Sequence, residues 1–417
     1  MSAGMNSADK SRLKQEVASW IDRHANEQVA FLAALVQCPS DNPPGNCTPH
    51  ARLTAALLEE MQFQVEQHVV PADTARQHGM QSATNLIVRE RFAVGPTVAL
   101  NAHGDVVPPG EGWSADPYGA SIRDGWMIGR GAAVSKSDFA TYAFALRALK
   151  AVAAPLRGSV ELHFTYDEET GGLAGPGWLL EQGLTRPDYA ICAGFSYHVA
   201  IAHNGCLHLQ LTVLGKSAHA ARPDTGHDAL EATTHLLDAL YRYRDTLQER
   251  RSGIPGIASP TLVVGTIKGG INTNVVPDVV TLRLDRRIIP EEMPESVEAE
   301  LRAVVDRALQ GLPGISCAVE RVLLARPFKP VGDAARLAGI VCAEASAALG
   351  EPVVQTGSPL YADARLYAEA GVPTVMYGAG PRSLLEANGH RADEQVPLAM
   401  LPIATKAVAW SLIELLK

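Results

Sequence analysis

The sequence predicts an α/β protein with a mostly parallel sheet, interrupted by an inserted α+β domain of ferredoxin-like order. Three observations carry that prediction. Helical and strand patterns alternate from the start to about residue 200, as in a domain built on a parallel sheet. At Leu207 the period shortens: Leu207, Leu209, Leu211 and Val213 alternate with His208, Gln210 and Thr212, the mark of a sheet with one buried face. The α/β pattern then resumes at Ala335. A length of 417 residues also exceeds what one hydrophobic core usually supports. The expected boundaries are residues 1–205 and 325–417 for the larger α/β domain and 206–324 for the insertion.

In chain order, residues 51–61 have a helical apolar period, and 85–89 and 97–101 are short apolar runs of strand type. A helix is expected over 139–151 and a strand over 160–164. The insertion reads as the strand at Leu207, a helix over about 228–249, strands over about 261–267 and 280–288, a helix over 295–309 and a strand over 317–323. The order β-α-β-β-α-β is the split βαβ unit. After it come a helix from Ala335, a buried strand over 373–377 and a closing helix over 402–416.

Composition narrows the function. A net charge of -9 with no block of Lys or Arg argues against nucleic acid or an anionic membrane as partner and leaves small molecules. Residues 1–20 hold no signal-peptide core and no later segment is apolar for long enough to span a bilayer, so a cytoplasmic location is expected. Cys38, Cys47, Cys192, Cys206, Cys317 and Cys342 include no C-x-x-C pair, which suggests neither a disulfide framework nor a thiolate zinc cluster. They are expected to be reduced and mostly structural.

Two stretches carry chemistry. His103-Gly104-Asp105 follows an apolar strand run, and imidazole that binds a divalent metal needs a partner such as a nearby carboxylate to fix its orientation. Asp167-Glu168-Glu169 follows the strand over 160–164, and three adjacent carboxylates repel one another unless a cation neutralises them. Open α/β sheets put ligand sites at the carboxyl ends of their strands, so His103 and Glu169 are expected to share one edge. His163 and His235 are expected to pack rather than bind a ligand.

Taken with Gly129-Arg130-Gly131-Ala132, Gly215-Lys216-Ser217-Ala218-His219, Asn274-Val275-Val276-Pro277, Asp363-Ala364-Arg365 and His390, these stretches resemble, in order, the metallopeptidase family of acetylornithine deacetylase, succinyl-diaminopimelate desuccinylase and bacterial glutamate carboxypeptidase. The resemblance covers nearly the whole chain. It implies a phosphorylase/hydrolase-like catalytic domain, an inserted lid that also forms the dimer interface, and metal-dependent hydrolysis of an amide-type C–N bond beside a substrate carboxylate. Position by position it implies His103 as ligand of one metal with Asp105 behind it, Glu168 as general base, and Glu169 and His390 as ligands of the other metal. It implies His219 as a lid histidine that stabilises the oxyanion in a neighbouring subunit's site, and Asn274 and Arg287 as holders of substrate oxygens. Asp363 and Arg365 are taken as braces of the nearby loop.

The sequence departs from the family at two ligands. Val134 stands where the family has an aspartate bridging both metals, and Phe195 stands, on an ungapped reading, where it has an acid that completes the site of His103's metal. His103, Glu169 and His390 with Glu168 as base still form a competent set around a single ion, zinc or manganese, so one divalent ion per chain is expected. Asp138 and His198 are candidate substitutes for the lost ligands. Three functions stay open: hydrolysis of a C–N bond in a small carboxylate-bearing substrate by a homodimer or a higher assembly of dimers, hydrolytic deamination of an aromatic amino acid-like compound, and binding by a catalytically inactive homologue.

Overall fold

The computed structural model describes residues 6–417. By its internal contacts the chain forms two compact units, one running up to Ile201 and taking in Pro330–Thr356 and Ala362–Lys417, the other comprising Ala202–Lys329 and Gly357–Tyr361. Fifteen strands occur in the described residues. They are β1 (Val65–Val69), β2 (Thr84–Ala93), β3 (Thr97–His103), β4 (Ser121–Arg123), β5 (Trp126–Ile128), β6 (Gly158–Thr165), β7 (Tyr189–Cys192) and β8 (His198–His203). There follow β9 (Gly205–Leu214), β10 (Thr261–Gly269), β11 (Val279–Ile288), β12 (Ser316–Ala325), β13 (Val354–Ser358), β14 (Thr374–Met376) and β15 (Gln395–Pro397).

The large sheet has the order β1-β2-β6-β3-β7-β14-β8-β13. Its centre, β6-β3-β7-β14, is parallel, and β1, β2 and β8 join it antiparallel. The central strand β3 buries Val98, Ala99, Leu100 and Ala102 together. An unbroken apolar run of this kind is what a strand covered on both faces requires. Helix Lys136–Ala151 is buried over most of its length and packs against helix Met400–Leu415, which in turn packs on Ala334–Leu349. The parallel register sets His103 of β3 opposite Thr165 of β6, so the loops leaving the two strands emerge side by side. A separate three-stranded sheet, β15-β5-β4, ties the segment after His390 to the one before Gly129.

In the second unit the antiparallel order is β10-β11-β9-β12. Leu207, Leu209, Leu211 and Val213 face helices Ala229–Thr246 and Pro294–Leu309 in one core with Leu236, Leu240, Leu301 and Val305, while His208, Gln210 and Thr212 are only half-buried. The strict alternation therefore marks the two faces of a central strand.

Some elements differ from the sequence reading. The mixed polar and apolar residues before Trp20 form helix Ser7–Arg23, capped by Asn6, whose side chain accepts from the Asp9 amide. Its buried residues Leu13, Val17, Trp20 and Ile21 follow the i, i+4, i+7, i+8 spacing of a helix face. Residues 1–5 lie outside the described part. No helix among the described residues is long and apolar enough to cross a membrane. His235 is exposed on its helix rather than packed.

His163, by contrast, is buried, with Nε2 2.9 Å from Glu161 Oε2 and Nδ1 2.8 Å from the Tyr367 hydroxyl. Glu161 also accepts from Thr185 Oγ1 at 2.6 Å and pairs with Arg89. Burial pushes the Glu161 carboxyl up, but His163, Thr185 and Arg89 outweigh it and hold the group down at about 2. A carboxylate whose folded value is depressed stabilises the fold above its unfolded value and loses that contribution as pH falls through the folded one. Glu161→Gln is expected to cost about 1–3 kcal/mol at neutral pH. The deficit should shrink as pH drops from about 4.5 towards 2, which urea unfolding of both proteins at neutral pH and near pH 3 will measure. A deficit independent of pH would remove this role.

Candidate metal centre

The site is assembled around a buried carboxylate. His103 ends β3, and its main chain is clamped by Ser135, whose Oγ receives the His103 amide at 3.1 Å and donates to the His103 carbonyl at 3.0 Å. The Nδ1 edge of the ring faces Asp105, 3.0 Å from its carbonyl and 3.4 Å from Oδ1. That leaves Nε2 directed at Glu168, 3.9 Å from Oε2. Asp105 is fully buried and accepts from the amides of Glu168 and Glu169 at 3.2 Å each and from Asn42 Nδ2 at 2.9 Å. One carboxylate thus fixes a ring and the turn that carries the acids.

Of the three consecutive acids, Asp167 turns away. Its Oδ2 accepts the Ala174 amide, while burial and the charges of Asp363 and Asp105 push its carboxyl well above the usual range. Glu168 and Glu169 turn the other way, and with His103 they offer donor atoms that all lie within 4.8 Å of one another. His390, exposed at positive φ, brings Nε2 to 3.3 Å from Glu169 Oε1. His103, Glu168, Glu169 and His390 are therefore brought together.

Acids and imidazoles crowd here, each shifting the others. Burial opposes the His103 cation, yet Glu168, Asp105 and Glu169 together raise its pKa well above the ordinary histidine value. Glu168 is raised well above the carboxylate range by burial and by Glu169, Asp363 and Asp105, against the pull of His103. The hydrogen bond and charge of Glu169, with the charge of Glu394, raise His390 above its ordinary value as well, against its burial and the His103 charge. A divalent ion bound among these groups would compete with protons for the same atoms. Two imidazoles and adjacent carboxylates fit zinc or manganese.

Positions 134 and 195 offer no donors. The Val134 amide donates to Glu394 Oε1 at 3.1 Å, and the Phe195 ring lies against Gly380. Both oxygens of Asp138 are engaged by backbone amides, Oδ1 by Ala379 at 2.7 Å and Oδ2 by Gly194 at 3.0 Å, and a Cβ at Gly378 would sit 1.9 Å from Oδ1. Asp138 therefore joins two loops, and burial raises its carboxyl to about 8. His198 is half-buried at the start of β8, outside every group of metal-type donors among the described residues.

Arg365 donates to the Gly171 carbonyl, bracing the turn after Glu169 as expected of that residue. Sequence reasoning missed a second brace. Buried Glu394 accepts from Arg130 Nη1 at 2.7 Å and from the amides of Ala133 and Val134 at 3.1 Å, joining the His390 loop to the Gly129–Val134 segment. Arg130 also stacks over Trp113, 5.1 Å from its ring centroid. Arg130 stands in the quoted Gly129–Ala132 motif and Glu394 four residues after His390; only their partnership was hidden.

In the second unit His219 and Asn274 lie on neighbouring segments, with a bridge between His219 and Val275 and a bond from the Ala220 amide to the Asn274 carbonyl at 3.0 Å. Both side chains are exposed. Arg287 is paired with Asp285 at 3.2 Å and lies 5.7 Å from the Tyr361 ring centroid.

Because Asp105 holds His103 by its ring and Glu169 by its amide, Asp105→Asn is expected to lower affinity for a divalent ion at this centre about 10- to 100-fold. Calorimetric titration of the metal-free protein measures this, and an unchanged affinity would deny Asp105 its orienting role.

The profile of Peptidase family M20/M25/M40 matches residues 99–413. The chain is 28% identical over 395 residues to a succinyl-diaminopimelate desuccinylase of Rhodospirillum centenum, covering 90% of this chain and 94% of that protein. Among solved structures it is similar to the di-peptidase Dug1p of Saccharomyces cerevisiae, at a TM-score of 0.79 and 14% identity over 96% of this chain and 98% of that one. It is also similar to a dinuclear metal-binding M20-family peptidase of Bacillus subtilis, at a TM-score of 0.68 and 18% identity over 95% and 99%. The fold, the ordered motifs and the match along three quarters of the sequence agree: the chain belongs to the M20/M25/M40 peptidase family and is a metal-dependent hydrolase of amide or peptide bonds.

Proposed function

We propose that the protein hydrolyses the amide-type C–N bond of a small carboxylate-bearing substrate, with Glu168 as general base and one divalent ion held by His103, Glu169 and His390. The observation that supports this most is the convergence of His103, Glu168 and Glu169 over buried Asp105, with His390 beside Glu169. A bound divalent ion supplies Lewis-acid polarisation of the scissile carbonyl and makes the attacking water more acidic. Glu168 takes that water's proton and delivers it to the departing amine nitrogen. Burial and the neighbouring acids make Glu168 more basic than a free carboxylate, the direction a base working near neutral pH needs.

His219 is assigned to oxyanion stabilisation, and Asn274 and Arg287 to substrate oxygens, with Arg287 suited to a carboxylate by its paired donors. We infer a homodimer as well. Strand β10 lies at an edge of its sheet and exposes Val263 and Ile267, the sort of edge that a second copy covers about a two-fold axis.

Loaded with manganese and dialysed, the wild type is expected to retain one ion per chain; two stoichiometric ions would overturn the single-ion centre. Activity is sought with N-acyl amino acids, dipeptides, carbamoyl compounds and amino-substituted aromatic acids. On any compound turned over, Glu168→Gln should keep the ion and lose roughly two to four orders of magnitude in kcat. Glu169→Gln should lose the ion instead. A wild-type rate in Glu168→Gln would sink the base assignment. For the assembly, light scattering at micromolar concentration is expected to give the dimer mass, and a monomer would also deny His219 any role in a partner's site.

A further inference from the structure

The half-buried face of β9 carries a second set of metal-type donors. Cys206 and His208 stand two residues apart on one strand and so share a face. The register of β9 with β11 sets Asp285 directly opposite His208. Cys206 Sγ lies 3.1 Å from His208 Nε2 and 3.6 Å from Asp285 Oδ1, and His208 Nε2 lies 3.3 Å from Asp285 Oδ2. We propose that Cys206, His208 and Asp285 form a zinc site in the inserted unit, with a fourth position open to water or another donor.

Spacing is the first reason. Zinc bonds of about 2.3 Å to sulfur and about 2.0–2.2 Å to nitrogen and oxygen, arranged as a tetrahedron, put neighbouring donors about 3.3–3.6 Å apart. The three observed separations fall around that range without any movement of the backbone. Convergence is the second reason. Thiol and carboxylate both meet the same imidazole nitrogen, Nε2. A cysteine nucleophile relayed through histidine needs the acid on the other ring nitrogen, so the arrangement suits a shared ion and not a relay.

Donor type is the third. A thiolate and an imidazole select zinc over manganese, magnesium or calcium, whereas the His103 centre offers only nitrogen and oxygen. Arg287 supports the carboxylate from outside, with Nε and Nη2 both 3.2 Å from Asp285 Oδ2. Although burial works against it, His208 and Arg287 hold the Asp285 carboxyl below its ordinary value. No C-x-x-C pair marks this cluster in the sequence, because it takes its third donor from a strand paired with β9 and far along the chain. None of the other five cysteines joins a group of three metal-type donors among the described residues.

Cobalt(II) is the probe, since its thiolate complexes give a charge-transfer band in the near ultraviolet that nitrogen and oxygen ligands do not. Titration of the manganese-loaded protein should produce this band with one cobalt per chain, and zinc should displace it. Cys206→Ser should abolish the band and one equivalent of zinc, while His103→Ala should retain the band, so that failure of this site and of the His103 centre are told apart. X-ray absorption at the zinc edge of the wild type provides a readout that needs no variant: a sulfur scatterer is expected at about 2.3 Å. Nitrogen and oxygen scatterers alone, or a band that persists in Cys206→Ser, would overturn the proposal.

Discussion

The metal centre depends on Asp105. Burying a carboxylate without partners costs several kcal/mol, so its environment must satisfy it. Here His103, the Glu168 and Glu169 amides and Asn42 do so, and they hold the carboxyl below its ordinary value against burial. The same bonds that satisfy Asp105 position the ligands. A change that loosened the acids' turn would leave a buried charge without donors, so the stability of this loop and the geometry of the site cannot be separated. The loop needs the sheet as well: only the parallel register of β3 with β6 places the two strand ends close enough for one side chain to span them.

Local chemistry was legible in the sequence, and distant partnership was not. His103 with Asp105, and Glu168 with Glu169, are neighbours in the chain, and strand runs before each placed them on one edge. The insertion was legible because period-two alternation over β9 admits one interpretation once helices flank it. Strand β14 was legible as the apolar run over 373–377, whereas β7, only four residues long, carries too little pattern to be read, and β15 is placed by pairing with β5 across the chain. Glu394 and Arg130 illustrate the same limit at the site. Arg130 stood in a quoted motif and Glu394 close to His390, but nothing in either stretch says that a guanidinium 264 positions away completes the carboxylate.

The run Asp167-Glu168-Glu169 shows what a residue count misses. Three acids in a row suggested one shared cation, yet the backbone at Asp167, with φ at 155°, sends its carboxylate to the Ala174 amide. Repulsion is relieved by turning one acid into the protein and two towards the site. Asp138 departs from expectation for a related reason: an acid close in sequence to a missing ligand was a natural substitute, but two loop amides already use both of its oxygens.

Charge balance links the two departures from the family pattern. Asp105, Glu168 and Glu169 crowd one small volume where His103 and His390 are the histidines within reach, and the acids need positive charge to stay ionised together. A pair of divalent ions would bring four positive charges and calls for further carboxylates around them. By the resemblance, Val134 and Phe195 stand in place of two acids, and two negative charges are what one divalent ion neutralises. A centre that held one ion fewer would keep the balance with both acids gone, whereas the loss of either acid alone would not. The proposed single-ion centre therefore asks no further carboxylate of positions 134 and 195, and its two histidines and paired glutamates would carry the whole of the ion's charge.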